Sequence, residues 1–459
     1  MNNLWAKCQG DTREIEQLLR FRPAGFKFAP SYKAKRWDGY ISLVQHRQGE
    51  TFFPVGLFPH VLAQPWAERY TVIDQRQQPE PRCLYSNTPQ VKLDPHQLEA
   101  VEEAIAAKRG IVQYPTGTGK SYILGELIRR LQRPALVICD KRDLLHQLAR
   151  DITKATGSPI GLIGDGHWLQ ADCCVATYQT LYKRLNEPRQ AKDTRKFLSE
   201  FPIVIADEGQ HAEAKTFSEV LKHIPAYYRF AFSATPFKSW QTGKPLDRGT
   251  MLRVQAFIGP SIARLDIEEA IATGRIVPPD IYFIKGCVWE GKAINFQEEY
   301  QLGIVKNRLR NKIIGKIAAA LKQKGPTVII VDRTEHGLDL RDALQAPFVY
   351  GELSTRERAE HYNAFRTGQE PLLIVSKIAD EGLDLPNLEH LILAGGGMAP
   401  HRQVQRIGRG MRASAGKERV LVFDFEDYGQ YISAHSRRRH RAYEREPAYT
   451  LVDINQEEI

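Results

Sequence analysis

Pro115-Thr116-Gly117-Thr118-Gly119-Lys120-Ser121 sets two glycines, a lysine and a hydroxyl between an apolar run and an amphipathic one. A turn of this kind lets backbone N–H groups approach a phosphate chain, and the N-terminus of the following helix adds positive potential. Lys120 is placed to reach the β- and γ-phosphates and Ser121 to hold Mg2+. Tyr114 stands where the full phosphate-loop pattern has its first glycine. Asp207-Glu208 ends the apolar run Ile203-Val204-Ile205-Ala206. A carboxylate pair at a strand tip suits phosphoryl transfer: Asp207 to bind Mg2+, directly or through water, and Glu208 to orient and polarise the attacking water. In Gln405-Arg406-Ile407-Gly408-Arg409-Gly410-Met411-Arg412 the last two arginines are three apart, so on a helix Arg409 and Arg412 share a face. Two guanidiniums facing a triphosphate neutralise charge that develops during transfer. They lie far along the chain from Lys120, which predicts a site assembled between two domains. Arg402 and Arg406 read as a solvated basic face.

The elements that must hold these groups alternate in type. From about residue 91, apolar runs (Gly110–Tyr114, Ala135–Cys139, Cys174–Thr177, Ile203–Ala206, Arg229–Ser233) alternate with amphipathic stretches. The alternation pauses at Lys238–Arg253. It resumes at Thr327–Val331, Phe348–Tyr350, Leu372–Val375, His390–Leu393 and Val420–Asp424. This is the signature of parallel sheets covered by helices, here as two successive α/β units with a hinge near Arg275–Lys285. Ser233-Ala234-Thr235-Pro236 closes one strand with hydroxyls suited to coupling phosphate state to domain movement. Residues 1–85 differ: aromatic and basic residues crowd together, a helix is expected from Thr12 to Phe21, and short strands at Gly25–Phe28, Tyr40–Val44 and Thr51–Phe53. They read as a small α+β domain, followed by a polar, Pro-rich linker over 75–90. The predicted division is an accessory DNA-binding domain (1–85), a first α/β domain (86–277) and a second (278–459) ending in the basic tail Ser436–Arg441.

The chain has 459 residues, 42% apolar and 26% charged, in the range of folded globular proteins. No run reaches the roughly 18 apolar residues of a membrane span, and the first residues lack the pattern of a secretion signal. Six cysteines form no C-x-x-C pair, so no disulfide framework or structural zinc is expected and a reducing cytoplasm is the default. Net charge is +10, with nine basic against five acidic residues over 1–60 and eleven against five over 401–445. Basic ends suit a polyanionic partner or a solubilising surface.

Read in order, the segments resemble the motifs of superfamily 2 helicases and translocases over about residues 91–425. The resemblance implies an α/β fold of two tandem RecA-like parallel-sheet domains, ATP and Mg2+ as cofactors, and single- and double-stranded DNA as partner. It makes Gln97, in Leu93-Asp94-Pro95-His96-Gln97, the reader of the adenine edge. Pro115, Thr116, Gly117, Thr118, Gly119, Lys120 and Ser121 become motif I, and Asp207-Glu208-Gly209-Gln210 the acidic box. Ser233–Pro236 corresponds to motif III, Ser376–Pro386 with Gly382 and Asp384 to motif V, and Gln405–Arg412, with Gln405, Arg409 and Arg412, to motif VI. Asp140–Gln147 and Ala176–Leu181 resemble strand-contacting motifs, so Lys141, Arg142, Thr177 and Thr355 are expected on nucleic acid. Gly25-Phe26-Lys27-Phe28-Ala29-Pro30 followed by Arg36-Trp37-Asp38-Gly39 is similar to the accessory domain of the phage UvsW-type branch-migration helicases. That narrows the expectation to a monomeric motor that remodels forks and Holliday junctions in phage replication, recombination or repair, in the host cytoplasm. Lys27, Lys35, Arg36 and Trp37 would hold a duplex arm, with Trp37 either a wedge or a core residue, and Arg437–Arg441 either adds nonspecific affinity or is solvated tail.

Two positions depart from the wider pattern. Gln210 stands where DEAH-type members carry His, and an amide can still bridge through its two hydrogen-bonding ends. Phe237-Lys238-Ser239 replaces the Arg-Glu-Asp element of XPB-like relatives, which speaks against their specific roles. The motifs also fit the motor subunit of a restriction or nuclease complex, and an RNA helicase. A catalytically inert scaffold conflicts with intact Lys120, Asp207, Glu208, Arg409 and Arg412.

Overall fold

The computed structural model describes all residues except 24, 208–214, 235–247, 377–384 and 398–399, and leaves the side chains of Asp143, Lys215, Thr355, Pro400, His401 and Arg402 aside. The chain forms two compact units, Met1–Tyr114 with Gly119–Leu265, and Asp266–Ile459 with Pro115–Thr118. No helix among the described residues is long and apolar enough to cross a membrane. The six cysteines are free thiols.

Among the described residues the first unit holds an eight-stranded sheet. Its order is Ser261–Arg264, Arg109–Gln113, Tyr228–Ser233, Ile203–Asp207, Ala135–Cys139, Cys173–Thr177, Gly161–Gly164 and His167–Trp168. All neighbours are parallel except the last pair. Strands Ala135–Cys139, Cys173–Thr177 and Ile203–Asp207 are buried at every residue, which is why they read as unbroken apolar runs rather than alternating ones. Parallel strands bring their carboxyl ends to one edge. Ser233 pairs with Gln113, Asp207 with Phe232 and Thr177 with Cys139, so the segments that follow these strands leave from the same side.

The N-terminal residues add two small antiparallel sheets, one of Trp5–Cys8, Glu50–Pro54 and Gln45–Arg47, the other of Arg20–Phe21 and Ile41–Ser42. Their apolar residues Ala6, Ile15, Leu19, Phe21, Phe53 and Leu57 belong to the same buried cluster as Ile111, Leu136 and Phe257 of the large sheet. The strand expected at Gly25–Phe28 is instead a 3-10 turn, Phe26–Phe28, followed by the helix Pro30–Lys33. Pro30 sits in the first helical turn, where its fixed φ and missing N–H cost nothing. The strand expected over Tyr40–Val44 shrinks to Ile41–Ser42. The Pro-rich stretch 75–90 holds no helix or strand but is tied down: the Arg82 N–H donates to Gln132 O at 2.8 Å and the Tyr85 hydroxyl to Arg133 O at 3.0 Å.

The second unit holds, among the described residues, a seven-stranded, fully parallel sheet. The order is Phe348–Val349, Leu372–Ser376, Thr327–Val331, His390–Leu393, Val420–Phe425, Pro279–Lys285 and Thr450–Asn455. One of these strands differs from the sequence reading and another lies where that reading placed no element. Pro279–Lys285, taken as part of a hinge, pairs on both sides within the sheet. Thr450–Asn455 is an edge strand whose mostly exposed residues leave no apolar run to recognise.

The basic tail is helical, one of the two forms open to it, and differs from a solvated tail at Arg439. Ser433–Glu444 is a helix, with Arg437, Arg438 and Arg441 exposed and Arg439 fully buried. Arg439 Nε donates to Asp424 Oδ2 at 2.9 Å and its Nη2 to Asp427 Oδ2 at 3.0 Å. Arg310, also buried, meets Asp427 Oδ1 at 2.9 Å, and the Tyr443 hydroxyl donates to Asp424 at 2.8 Å. Burial opposes the Arg439 charge, but the two aspartates outweigh it and hold the guanidinium above its usual range. Removing one partner of such a set leaves buried charge uncompensated, a loss of about 3–5 kcal/mol. Arg439→Leu is therefore expected to lower the stability of the full chain by about that amount, read from urea unfolding. A change below about 1 kcal/mol would mean that the aspartates find other compensation.

Candidate functional site

The phosphate loop lies between the strand Arg109–Gln113 and the helix Lys120–Leu131. Gly119, at φ +77°, caps the helix in the left-handed region, which side chains other than glycine adopt only with strain. There is no room for a side chain either: a Cβ there would lie 2.5 Å from Gln97 Nε2. Gln97 is held against this point by its own helix. Its N–H donates to Asp94 Oδ1 at 3.0 Å and its Oε1 accepts from the Asp94 N–H at 3.1 Å, a reciprocal cap of Pro95–Ala107. Lys120 Nζ donates to Tyr114 O at 3.1 Å. Tyr114 is buried where the pattern has glycine, with its hydroxyl donating to His96 O at 2.9 Å and its N–H to Ser233 O at 3.1 Å. It thus anchors the loop to a helix and a neighbouring strand. Thr118 Oγ1 donates to Pro115 O at 2.8 Å. Pro115–Thr118 group with the second unit, in which a Cβ added to Gly117 would stand 3.0 Å from Arg412 Cγ.

Ser121 follows Lys120 on the helix, with its hydroxyl near the Asp151 carboxyl. Burial raises the Asp151 pKa, partly countered by Lys154, Ser121 and further neighbours. Ser121 stands in the first turn of the helix directly after Lys120, and this position fits the Mg2+ role. Nothing in the sequence marks Asp151, because it is brought to Ser121 by packing of the helix Arg142–Thr156 on Lys120–Leu131. Asp207 is the last residue of Ile203–Asp207 and is almost fully buried. Cys139 has its thiol pushed up by burial and then by the Asp207 charge. Ser233 is buried at its strand end. Glu208, Gln210, Thr235, Pro236, Gly382 and Asp384 lie outside the described residues.

The arginine segment departs from its expected form. The helix Pro400–Gly410 carries Gln405 and Arg409, both half-buried, but stops before Arg412. Arg412 forms an antiparallel bridge with Ile276, so the two arginines do not share a helical face. Lys417 holds this end: its Nζ donates to Gly410 O at 2.5 Å and to Arg412 O at 3.0 Å. Burial, opposed by Glu389 and aided by Arg412, brings Lys417 down to about 8. Arg406, expected on a solvated face, is buried and donates to Asp332 Oδ1 at 2.9 Å. Arg439 and Arg310 also donate to Gly397 O and Ala394 O, at 3.1 Å each, in the stretch that leads to this helix. Asp332, Asp427 and Arg439 are thus positioning residues that the sequence did not single out.

The groups expected on nucleic acid fall in separate places. Lys141 is half-buried at the N-terminus of Arg142–Thr156, while the Arg142 side chain is 78% exposed, 3.5 Å from Asp165. Thr177 is buried and its hydroxyl pairs with Thr180 at 2.8 Å. Thr355 begins the helix Thr355–Arg366. Lys27, Lys35 and Arg36 are exposed, and Trp37 is half-buried with its indole N–H donating to Tyr40 O at 2.6 Å.

Comparison with known proteins matches two parts of the chain to protein families. Residues 90–238 match the family "Type III restriction enzyme, res subunit", and residues 308–414 match "Helicase conserved C-terminal domain". A putative DNA 3'-5' helicase Rad25 of Halobacterium salinarum is 28% identical over 358 residues, 76% of this chain and 56% of that protein. The ATP-dependent DNA helicase uvsW of Enterobacteria phage T4 is 23% identical over 470 residues, 92% of this chain and 88% of that one. The DNA-bound ATP-dependent Type ISP restriction-modification enzyme LlaBIII shares the fold, with a TM-score of 0.60 at 16% identity over 80% of this chain and 31% of that one. With both helicase domains in order, the chain belongs to the superfamily 2 helicases. It spans little more than half the length of the halobacterial relative.

Gly119→Ala combines a strained backbone with a clash against Gln97. It is expected to weaken nucleotide binding at least about ten-fold, read by titration with a fluorescent ATP analogue, with the circular dichroism spectrum retained. Unchanged affinity would remove the loop from the nucleotide site.

Proposed function

We propose that the protein is an ATP-driven DNA helicase or translocase that remodels branched DNA, in phage replication, recombination or repair. The observation that carries this reading is the phosphate loop, with its left-handed Gly119 and with Lys120 and Ser121 at the helix start, in a chain with both helicase domains. The match to the ATP-dependent DNA helicase of phage T4, over 92% of this chain, supports the DNA helicase part of the reading.

In this reading ATP supplies a γ-phosphoryl group whose transfer to water releases free energy. Lys120 and the loop N–H groups bind the phosphates, and Gln97 reads the adenine edge. Ser121 and Asp207 would hold Mg2+, Glu208 would orient the water, and Gln210 belongs to the same acidic box. Arg409 and Arg412 neutralise the charge that develops. Gly382 and Asp384 belong to the same nucleotide-responsive set. Lys141, Arg142, Thr177 and Thr355 contact the DNA backbone, as Lys27, Lys35, Arg36 and Trp37 do on a duplex arm, so binding falls steeply with salt. The protein acts as a monomer in the cytoplasm of the host cell.

Lys120→Ala is expected to lower DNA-stimulated ATP hydrolysis by about a hundred-fold or more, with DNA affinity within about three-fold of wild type. Arg409→Ala is expected to cut kcat by about a thousand-fold with little change in nucleotide KM. Full hydrolysis by the Lys120 variant refutes the assignment. Unwinding of linear duplex, fork and four-way junction by the wild-type chain then tests the substrate. A second reading, the motor of a restriction complex, is favoured by the family matched over 90–238. Cleavage of supercoiled DNA by the chain with Mg2+ would select it.

A further inference from the structure

The segment 20–40 holds six basic residues, Arg20, Arg22, Lys27, Lys33, Lys35 and Arg36, against the single acid Asp38. Most of its rings are used in a local knot. Phe26 and Tyr32 meet edge to face at 4.9 Å. The Arg22 guanidinium lies 4.9 Å above Phe26 and 4.5 Å above Tyr40, and Arg20 lies 4.5 Å above Tyr40. Trp37 closes the knot through its bond to Tyr40 O, and a Cβ at Gly39 would lie 2.7 Å from the Phe26 ring. The knot is rooted on the first unit. Phe21 packs on Gly249 and lies 5.0 Å beneath Arg253, while Arg248 donates to Leu18 O at 2.6 Å.

Phe28 stands outside this arrangement. It ends the 3-10 turn, with its N–H donating to Gly25 O at 2.9 Å, and its side chain is 78% exposed. No other aromatic side chain among the described residues is as exposed. Its neighbours in sequence Lys27, Lys33, Lys35 and Arg36 are exposed as well. An apolar protein groove closing over Phe28 would have to desolvate these cations without compensation. A polyanion with flat π faces satisfies both features, since phosphates meet the cations and a base meets the ring. Bases inside a duplex are stacked and shielded, whereas those at a branch point are not.

We propose that Phe28 stacks on an unpaired base at a DNA branch point while Lys27, Lys33, Lys35 and Arg36 contact the flanking phosphates. This rests on the reading of the protein as a DNA motor, and it moves the stacking role from Trp37, whose ring is committed to the knot, to Phe28.

The test uses the full chain without nucleotide and measures Kd by fluorescence anisotropy on three DNAs: a fully paired linear duplex, a fork with two unpaired bases at the branch, and the same fork with abasic sites there. Wild type is expected to bind the intact fork about ten-fold tighter than the abasic fork and to quench 2-aminopurine placed at the branch. Phe28→Ala should erase that difference and the quenching, and Phe28→Tyr should keep both. Lys35→Gln with Arg36→Gln should weaken binding to all three DNAs and flatten the salt dependence. Retention of the fork preference by Phe28→Ala would overturn the proposal, as would an equal loss on all three DNAs or a stronger effect on an RNA fork. Failure of the motor reading shows separately, as absence of DNA-stimulated ATP hydrolysis in the wild-type chain.

Discussion

Several backbone N–H groups can converge on one phosphate chain only where the backbone turns through positive φ just ahead of a helix. In this protein that turn is closed by Gly119, and the space beside its Cα is taken by the Gln97 carboxamide. The surrounding structure serves this point. The parallel sheet delivers Gln113, Asp207 and Ser233 to one edge, and Tyr114 pins the loop to a helix and a neighbouring strand.

In the second unit the burden falls on buried ion pairs. Arg439 pairs with Asp424 and Asp427 and Arg310 with Asp427, with no exposed member, and Arg406 pairs with Asp332. Apolar replacements could hold such a core equally well. What the pairs add is direction: each guanidinium also reaches a backbone carbonyl or a side-chain amide near the arginine helix, at Ala394, Gly397 and Gln403.

The N-terminal residues show how an apparently separate piece is joined to a larger core. Ala6, Ile15, Leu19 and Phe21 are few, too few to bury a core of their own. They are stable because they extend the buried cluster of the large sheet through Leu57 and Phe257. The basic aromatic knot over 20–40 is carried on that foundation.

Patterns carried by neighbouring residues were legible in the chain alone. Unbroken apolar runs such as Ala135–Cys139 and Thr327–Val331 announce buried parallel strands, because a strand covered on both faces has no polar side to show. The spacing of Gly117, Gly119, Lys120 and Ser121 announces a phosphate cradle, because one turn of backbone performs the whole task. Tertiary structure decided what depends on partners distant in sequence. It placed Arg439 and Arg406 in the interior rather than on a surface, since aspartates elsewhere compensate their charge. It ended the arginine helix at Gly410, since Arg412 finds a strand partner in Ile276. It turned Trp37 inward and left Phe28 outside. Local pattern determines which element a residue joins, but burial and charge compensation are sums over neighbours that only the folded chain brings together.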